Sequence, residues 1–197
     1  MDKSLGLIGI APMTVDSNKN ISYEDVIWVE NDKSGGREYS AEPQGEFFKI
    51  WAGGKPVITG NDNSGYNISL TLLDILDREI GKKMLGYSLT STGGVLEKAT
   101  GKPSPMFALL IARELFNGDT LYEVDTYFQC TAARPTKNSK TYEGTFDPDF
   151  PQYDISAVPR IDNNYIVTTE NYDVLPTKVV VPEDPDADED DGDDGNG

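Results

Sequence analysis

The chain contains no histidine. That absence excludes a Ser-His-Asp triad, a Cys-His dyad and any His-based metal site. Its single cysteine, Cys130, cannot close an internal disulfide, which fits a reducing intracellular origin. No apolar run approaches the roughly 20 residues of a membrane helix. The start, MDKSLGLIGIAPM, lacks the long apolar core of a signal peptide. Positive charge is also scarce: 17 Lys and Arg face 34 Asp and Glu, a net charge of −17. Nine of the acids (Glu183, Asp184, Asp186, Asp188, Glu189, Asp190, Asp191, Asp193 and Asp194) fall in 183–197, where there is no base. The remainder has 34 − 9 = 25 acids against 17 bases, or −8. A body this acidic argues against electrostatic binding to phosphate backbones.

What the chain does have is β pattern. Its 197 residues suit one domain, residues 1–181, followed by an acidic, low-complexity segment, 182–197, expected to be disordered. The organising stretch is Gly65–Tyr87, GYNISLTLLDILDREIGKKMLGY. Tyr66, Ile68 and Leu70 alternate with Asn67, Ser69 and Thr71, the period of a half-buried strand. From Thr71 the period becomes helical through Leu73, Leu76, Ile80 and Met84, predicting one helix over about 72–85. Thr71 and Asp74 imitate a capping box, Lys82 and Lys83 suit the last turn, and Gly86 suits a left-handed stop.

The other segments read as strands and turns. Leu5–Val15 and Ile21–Glu30 are strands around the turn 16–20. Residues 31–45, NDKSGGREYSAEPQG, are polar and rich in Gly and Pro, and predict a long loop or arm, either functional or disordered. Phe47–Trp51 and Val57–Thr59 form a hairpin around Gly53-Gly54. Thr90–Gly94 is a turn and 98–104 a loop. Pro105–Glu114 is the most apolar run and predicts a central buried strand. The turn Asn117-Gly118-Asp119 returns it through Leu121–Ala133, with Tyr122, Val124, Thr126, Phe128 and Cys130 on one face. Lys140–Phe146, Tyr153–Val158 and Tyr165–Thr169 complete about ten strands. The fold class is mainly β, a sandwich or half-barrel with one flanking helix.

Chemistry-bearing motifs are nearly absent, and no catalytic, cofactor-binding or metal-binding residue is assigned. Cys130 reads as a packed thiol rather than a nucleophile. Asp147 and Asp149 flank a proline in a turn, with no cleft to hold a catalytic carboxylate pair. The tail misses the EF-hand register: from Asp184 the sixth position is Glu189, and from Asp186 it is Asp191. Gly53-Gly54-Lys55 lacks the spacing and following helix of a phosphate loop. Aromatics are plentiful, and Tyr39, Phe47, Phe48 and Trp51 cluster near the predicted arm. They are either packing residues or interface anchors.

The blocks GEFFKIW (45–51), VITG (57–60), GYNISLTLLDI (65–75), LGY (85–87), Gly93-Gly94-Val95-Leu96, PMFALLI (105–111) and KTYEGTF (140–146), taken in order, resemble the major tail proteins, or tail tube proteins, of long-tailed bacteriophages. The likeness is to the type found in phages of Gram-positive bacteria, and it spans residues 5–172. It implies a structural virion protein, not an enzyme, without cofactors. Six copies would join edge to edge into a ring whose inner sheets make one β-barrel. Stacked rings would form a tube around a tape-measure protein, with terminator and distal tail proteins as partners. Double-stranded DNA would pass without specific binding, and no membrane is involved. The arm 31–45 would make ring-to-ring contacts, and the helix would buttress the outside of the barrel. Two other classes stand beside this reading. One is a soluble carbohydrate- or receptor-binding β-sandwich with Tyr39, Trp51 and Tyr87 as a stacking platform. The other is a carboxylate hydrolase.

Overall fold

The computed structural model describes residues 5–29, 36–52, 55–61, 63–72, 78–97, 104–115, 122–135 and 150–183. Its strands are β1 (Leu5–Val15), β2 (Ile21–Tyr23), β3 (Ile27–Trp28), β4 (Gly36–Gln44), β5 (Phe47–Ala52), β6 (Lys55–Asn61), β7 (Gly65–Leu72), β8 (Ser88–Leu89), β9 (Val95–Leu96), β10 (Met106–Glu114), β11 (Tyr122–Ala132), β12 (Gln152–Ala157) and β13 (Val167–Tyr172). The helix α1 (Arg78–Leu85) lies between β7 and β8. The protein is mainly β, as its alternating runs predict.

Nine strands make one antiparallel sheet in the order β2-β1-β10-β11-β12-β7-β4. β3 joins the outer side of β1 beside β2, and β13 joins β11 beside β12. The sheet has two unlike halves. In the first, β10 is buried on both faces because apolar residues occupy both parities of its run. Phe107, Leu109 and Ile111 enter one core, and Ala108, Leu110 and Ala112 enter a second. A run buried on both faces loses alternation, which is why this strand reads as continuously apolar.

The first core also takes Ile8 and Ile10 from β1, Ile68, Leu70 and Leu72 from β7, Tyr153 and Ile155 from β12, and Met84 from α1. The sheet therefore curls so that β4, β7 and β12 face β1 and β10 across this core, in a half-barrel. α1 lies against β1 and β11. The second core is closed by a strap. Leu175 and Val179 pack onto it, Val26 N–H donates to Thr177 O at 2.9 Å, and Trp28 Nε1 donates to Pro176 O at 3.0 Å.

Four expectations change. The loop placed at 31–45 is a strand from Gly36 onward: β4 pairs with β7 from Gly36↔Leu72 to Gln44↔Gly65. Alternation of Tyr39 and Ala41, packed toward the core, with exposed Glu38, Ser40 and Glu42 satisfies a one-faced edge strand despite the polar composition. The strand predicted over Ile21–Glu30 is broken into β2 and β3, since the backbone at Val26 bonds to the strap instead. Cys130 does not share a face with Val124. One extra residue in β11 between its pairs with Leu109 (Tyr127) and Phe107 (Cys130) flips the parity, so Cys130 enters the first core and Val124 the second. Finally, Leu72 ends β7 rather than starting the helix, and Thr71 is a strand residue. The cap partner Asp74 lies outside the described residues, as do 31–35, 98–103, the turn 117–119, the strand 140–146, Asp147, Asp149 and 184–197.

Gly86 closes α1 as expected. Its φ is +71°, and Gly86 N–H donates to Lys82 O at 3.0 Å.

Candidate functional site

Among the described residues no group of three or more Cys, Asp or Glu could hold a metal. Cys130 is fully buried, and burial pushes its thiol well above the ordinary range, so it is no nucleophile. The proposed aromatic platform is not assembled. Tyr87 is buried, with Oη donating to Arg78 O at 3.1 Å. Tyr39 Oη bonds to Tyr127 Oη inside the first core, and burial raises both phenols. The side chain of Trp51 lies outside the described residues.

The densest charged cluster is structural in form. Arg113 Nη2 meets Asp125 Oδ2 at 2.7 Å and Glu123 Oε1 at 3.0 Å, and Thr169 Oγ1 donates to Asp125 Oδ1 at 2.7 Å. Asp125 is thus held by a cation and a hydroxyl, as a nearly buried carboxylate must be.

The distinctive surface is the outer side of the second half-sheet. Register aligns three rows across β4, β7 and β12: Glu38, Thr71 and Gln152; Ser40, Ser69 and Asp154; Glu42, Asn67 and Ser156. Thr131 of β11 extends the third row. These ten positions hold three carboxylates, no cation and no apolar side chain. A shallow groove of about 470 Å³ runs among them, lined by Ser40, Glu42, Asn67, Ser69, Thr131, Asp154 and Ser156, with Ile68, Ala132, Ala133 and Ile155 also contributing to its wall. Alternation creates this face: the opposite parity of β7 and β12 fills the first core.

At its side, β4 runs close to β1 without a ladder between them. Among the described residues no strand pairs with the outer edge of β4. The β4–β7 ribbon continues into β5 and β6, which pair only with each other, from Phe47↔Asn61 to Ala52↔Lys55. Their sequences, FFKIWA and KPVITGN, are apolar for a ribbon joined to the main sheet by no ladder. A lone two-stranded hairpin is marginal in water. The ribbon parts from the sheet at Gly65, where φ is +150° and a Cβ would sit 2.3 Å from Ala157 O. Only glycine fits there.

Sequence reading found the hairpin and its aromatics. The polar face was visible as alternating Asn67, Ser69 and Thr71. Its extension onto β4 and β12 depends on pairing between distant segments, which local pattern does not encode. The chain matches no protein-family model and no curated protein sequence.

Proposed function

We propose that this protein is a self-assembling structural subunit, a tail tube protein of a long-tailed phage, whose copies join into stacked rings around a DNA-conducting bore. The observation that carries this reading is the half-sheet β4-β7-β12. One face packs the core, the other is polar with three carboxylates in its rows and one cation, Arg37, stacked on Phe150 at its end, and its outer edge has no ladder partner among the described residues. Unpaired edges are hazards in a monomer and assets in an assembly. A wall of carboxylates and short hydroxyl and amide side chains gives passing phosphates no counter-charge to release, so DNA slides rather than sticks.

In this scheme the ring contact uses the β4 edge, and the arm that reaches another copy is the ribbon 47–61 rather than 31–45. The ribbon supplies the aromatic and aliphatic residues that anchor interfaces, which 31–45 lacks. Tape-measure, terminator and distal tail proteins would be partners, and the virion tail the place of work.

Purified protein, concentrated stepwise and followed by light scattering and negative-stain microscopy, tests the reading. Rings and hollow tubes are expected. A chain that stays monomeric at every concentration contradicts it.

A further inference from the structure

We propose that the outer edge of β13 is the receiving site for the β5–β6 ribbon of a second copy. This rests on the assembly reading above and names the surface that reading leaves open.

β12 pairs with β11 at Cys130–Ala132, and β13 pairs with it at Tyr122–Tyr127, both antiparallel. The two short strands therefore run the same way along the same side of β11, one continuing the line of the other. Residues 158–166 make an excursion between them, closed by Arg160 N–H to Tyr165 O at 2.9 Å and Asn164 N–H to Arg160 O at 3.1 Å. Asn164 takes a left-handed turn conformation with φ of 59°.

β7 borders this line only along β12, from Gln152↔Thr71 to Ala157↔Tyr66. Toward its own N-terminus β7 travels in the direction of β13. Continued straight, the ribbon that precedes it would flank β13. Instead the chain leaves the sheet at Gly65, beside Ala157 O where the excursion begins. Two vacancies result among the described residues. β13 has a bare edge of 6 residues, and β6, at 7 residues, has no partner except β5.

The vacancies match in length and in kind. Adding a strand to an exposed edge satisfies backbone groups on both sides. Because the ribbon and β13 are different surfaces of one chain, the contact is head-to-tail, and repetition gives a closed ring or a filament. The same contact gives an otherwise marginal ribbon the third strand that it lacks.

Disulfide trapping between mixed chains tests this. Cys130 is sealed in the core, so the parent chain supplies no competing thiol. One chain carries Thr59→Cys on the ribbon, and a second carries Asn171→Cys, or in a parallel mixture Thr168→Cys, on β13. Under mild oxidation most chains in the polymer should become covalent heterodimers in at least one mixture. A control pairing Thr59→Cys with Ser22→Cys, on β2, should not. Replacing 47–61 with a short Gly-Ser turn should abolish the cross-link's parent polymer while leaving the far-UV circular dichroism of the body. Polymer that forms normally without any ribbon-to-β13 cross-link overturns this inference and leaves the assembly reading standing. Absence of polymer from the unsubstituted chain overturns both. If only the Cys variants fail to polymerise, hydrogen exchange of β13 in the unsubstituted polymer decides: slowed exchange supports the contact and unchanged exchange refutes it.

Discussion

The two halves of the main sheet solve the same problem differently. β1, β10 and the first part of β11 are covered on both faces, by the first core and by the C-terminal strap. Their far side is also closed, by β2 and β3, and Val26 and Trp28 tie β3 and its approach to the strap. β4, β7 and β12 are covered on one face only, and β4 runs close to β1 without a ladder between them. The first half is enclosed on both faces, and the second leaves a polar face open to solvent. A sheet can hold both roles because the pleat sends alternate residues to opposite faces, so burial and function need not share a side chain.

The contrast breaks most sharply at the doubly buried half. Leu109→Ala should cost about 2–5 kcal/mol by denaturant unfolding, since the side chain is fully buried and its loss leaves a cavity. Ser69→Ala on the open face should change stability by less than about 0.5 kcal/mol. Comparable losses at the two sites would abolish the distinction.

Gly65→Ala strikes the point where the ribbon leaves. The new methyl meets Ala157 O, and the backbone there disfavours any side chain. A loss of about 1–3 kcal/mol is expected. Polymer yield should fall further than that loss explains if the ribbon's exit direction matters. Normal stability and normal polymer would show that the bend is incidental.

Alkaline pH probes the tyrosines that close the protected half. Burial raises Tyr23 and Tyr172 from 10.0 to about 12, although Arg160 pulls Tyr23 the other way. Their unfolded forms ionise first, so the folded state holds more protons between these values. The contribution of these two tyrosines should therefore be intact below pH 10 and fall as pH rises toward 12, adding to an earlier loss from the buried Cys130 thiol that begins near pH 9.0. Thermal melts from pH 8 to 11 should show the decline, and the pair Tyr23→Phe with Tyr172→Phe should make it shallower without abolishing it, since Tyr39, Tyr127 and Cys130 are raised by burial too. An equally steep decline in the double variant would remove these groups from the account.

The smallest effect on folding falls on the open face. Glu38→Gln, Glu42→Gln and Asp154→Gln together should leave the melting temperature nearly unchanged. Assembled tubes of this variant should nevertheless retain more double-stranded DNA at low salt than the parent. Equal retention would mean that these carboxylates do not face the passing strand.

How far the sequence foretold this follows from the same physics. β10 and β7 were legible because their burial is written in local periodicity: Ile68 and Leu70 alternate with Asn67 and Ser69, and Phe107–Ala112 is apolar throughout. β4 was not. GREYSAEPQ has turn-forming composition, and only pairing with β7 makes it a strand. The parity switch at Cys130 was hidden because an inserted residue in β11 leaves no signature in residue types. The strap was missed for a related reason, since Leu175 and Val179 are isolated apolar positions that gain meaning only against Leu110 and Val124. The open face depended on rows that three separate segments complete.

Hydrogen exchange, followed strand by strand in dilute and in concentrated protein, tests the central claim most directly. The account predicts that β10 is slow in both, while β4 and β13 exchange quickly when dilute and slow sharply on concentration. If β4 and β13 are already as protected as β10 in the dilute monomer, and concentration changes nothing, the open half is complete by itself and the claim is wrong.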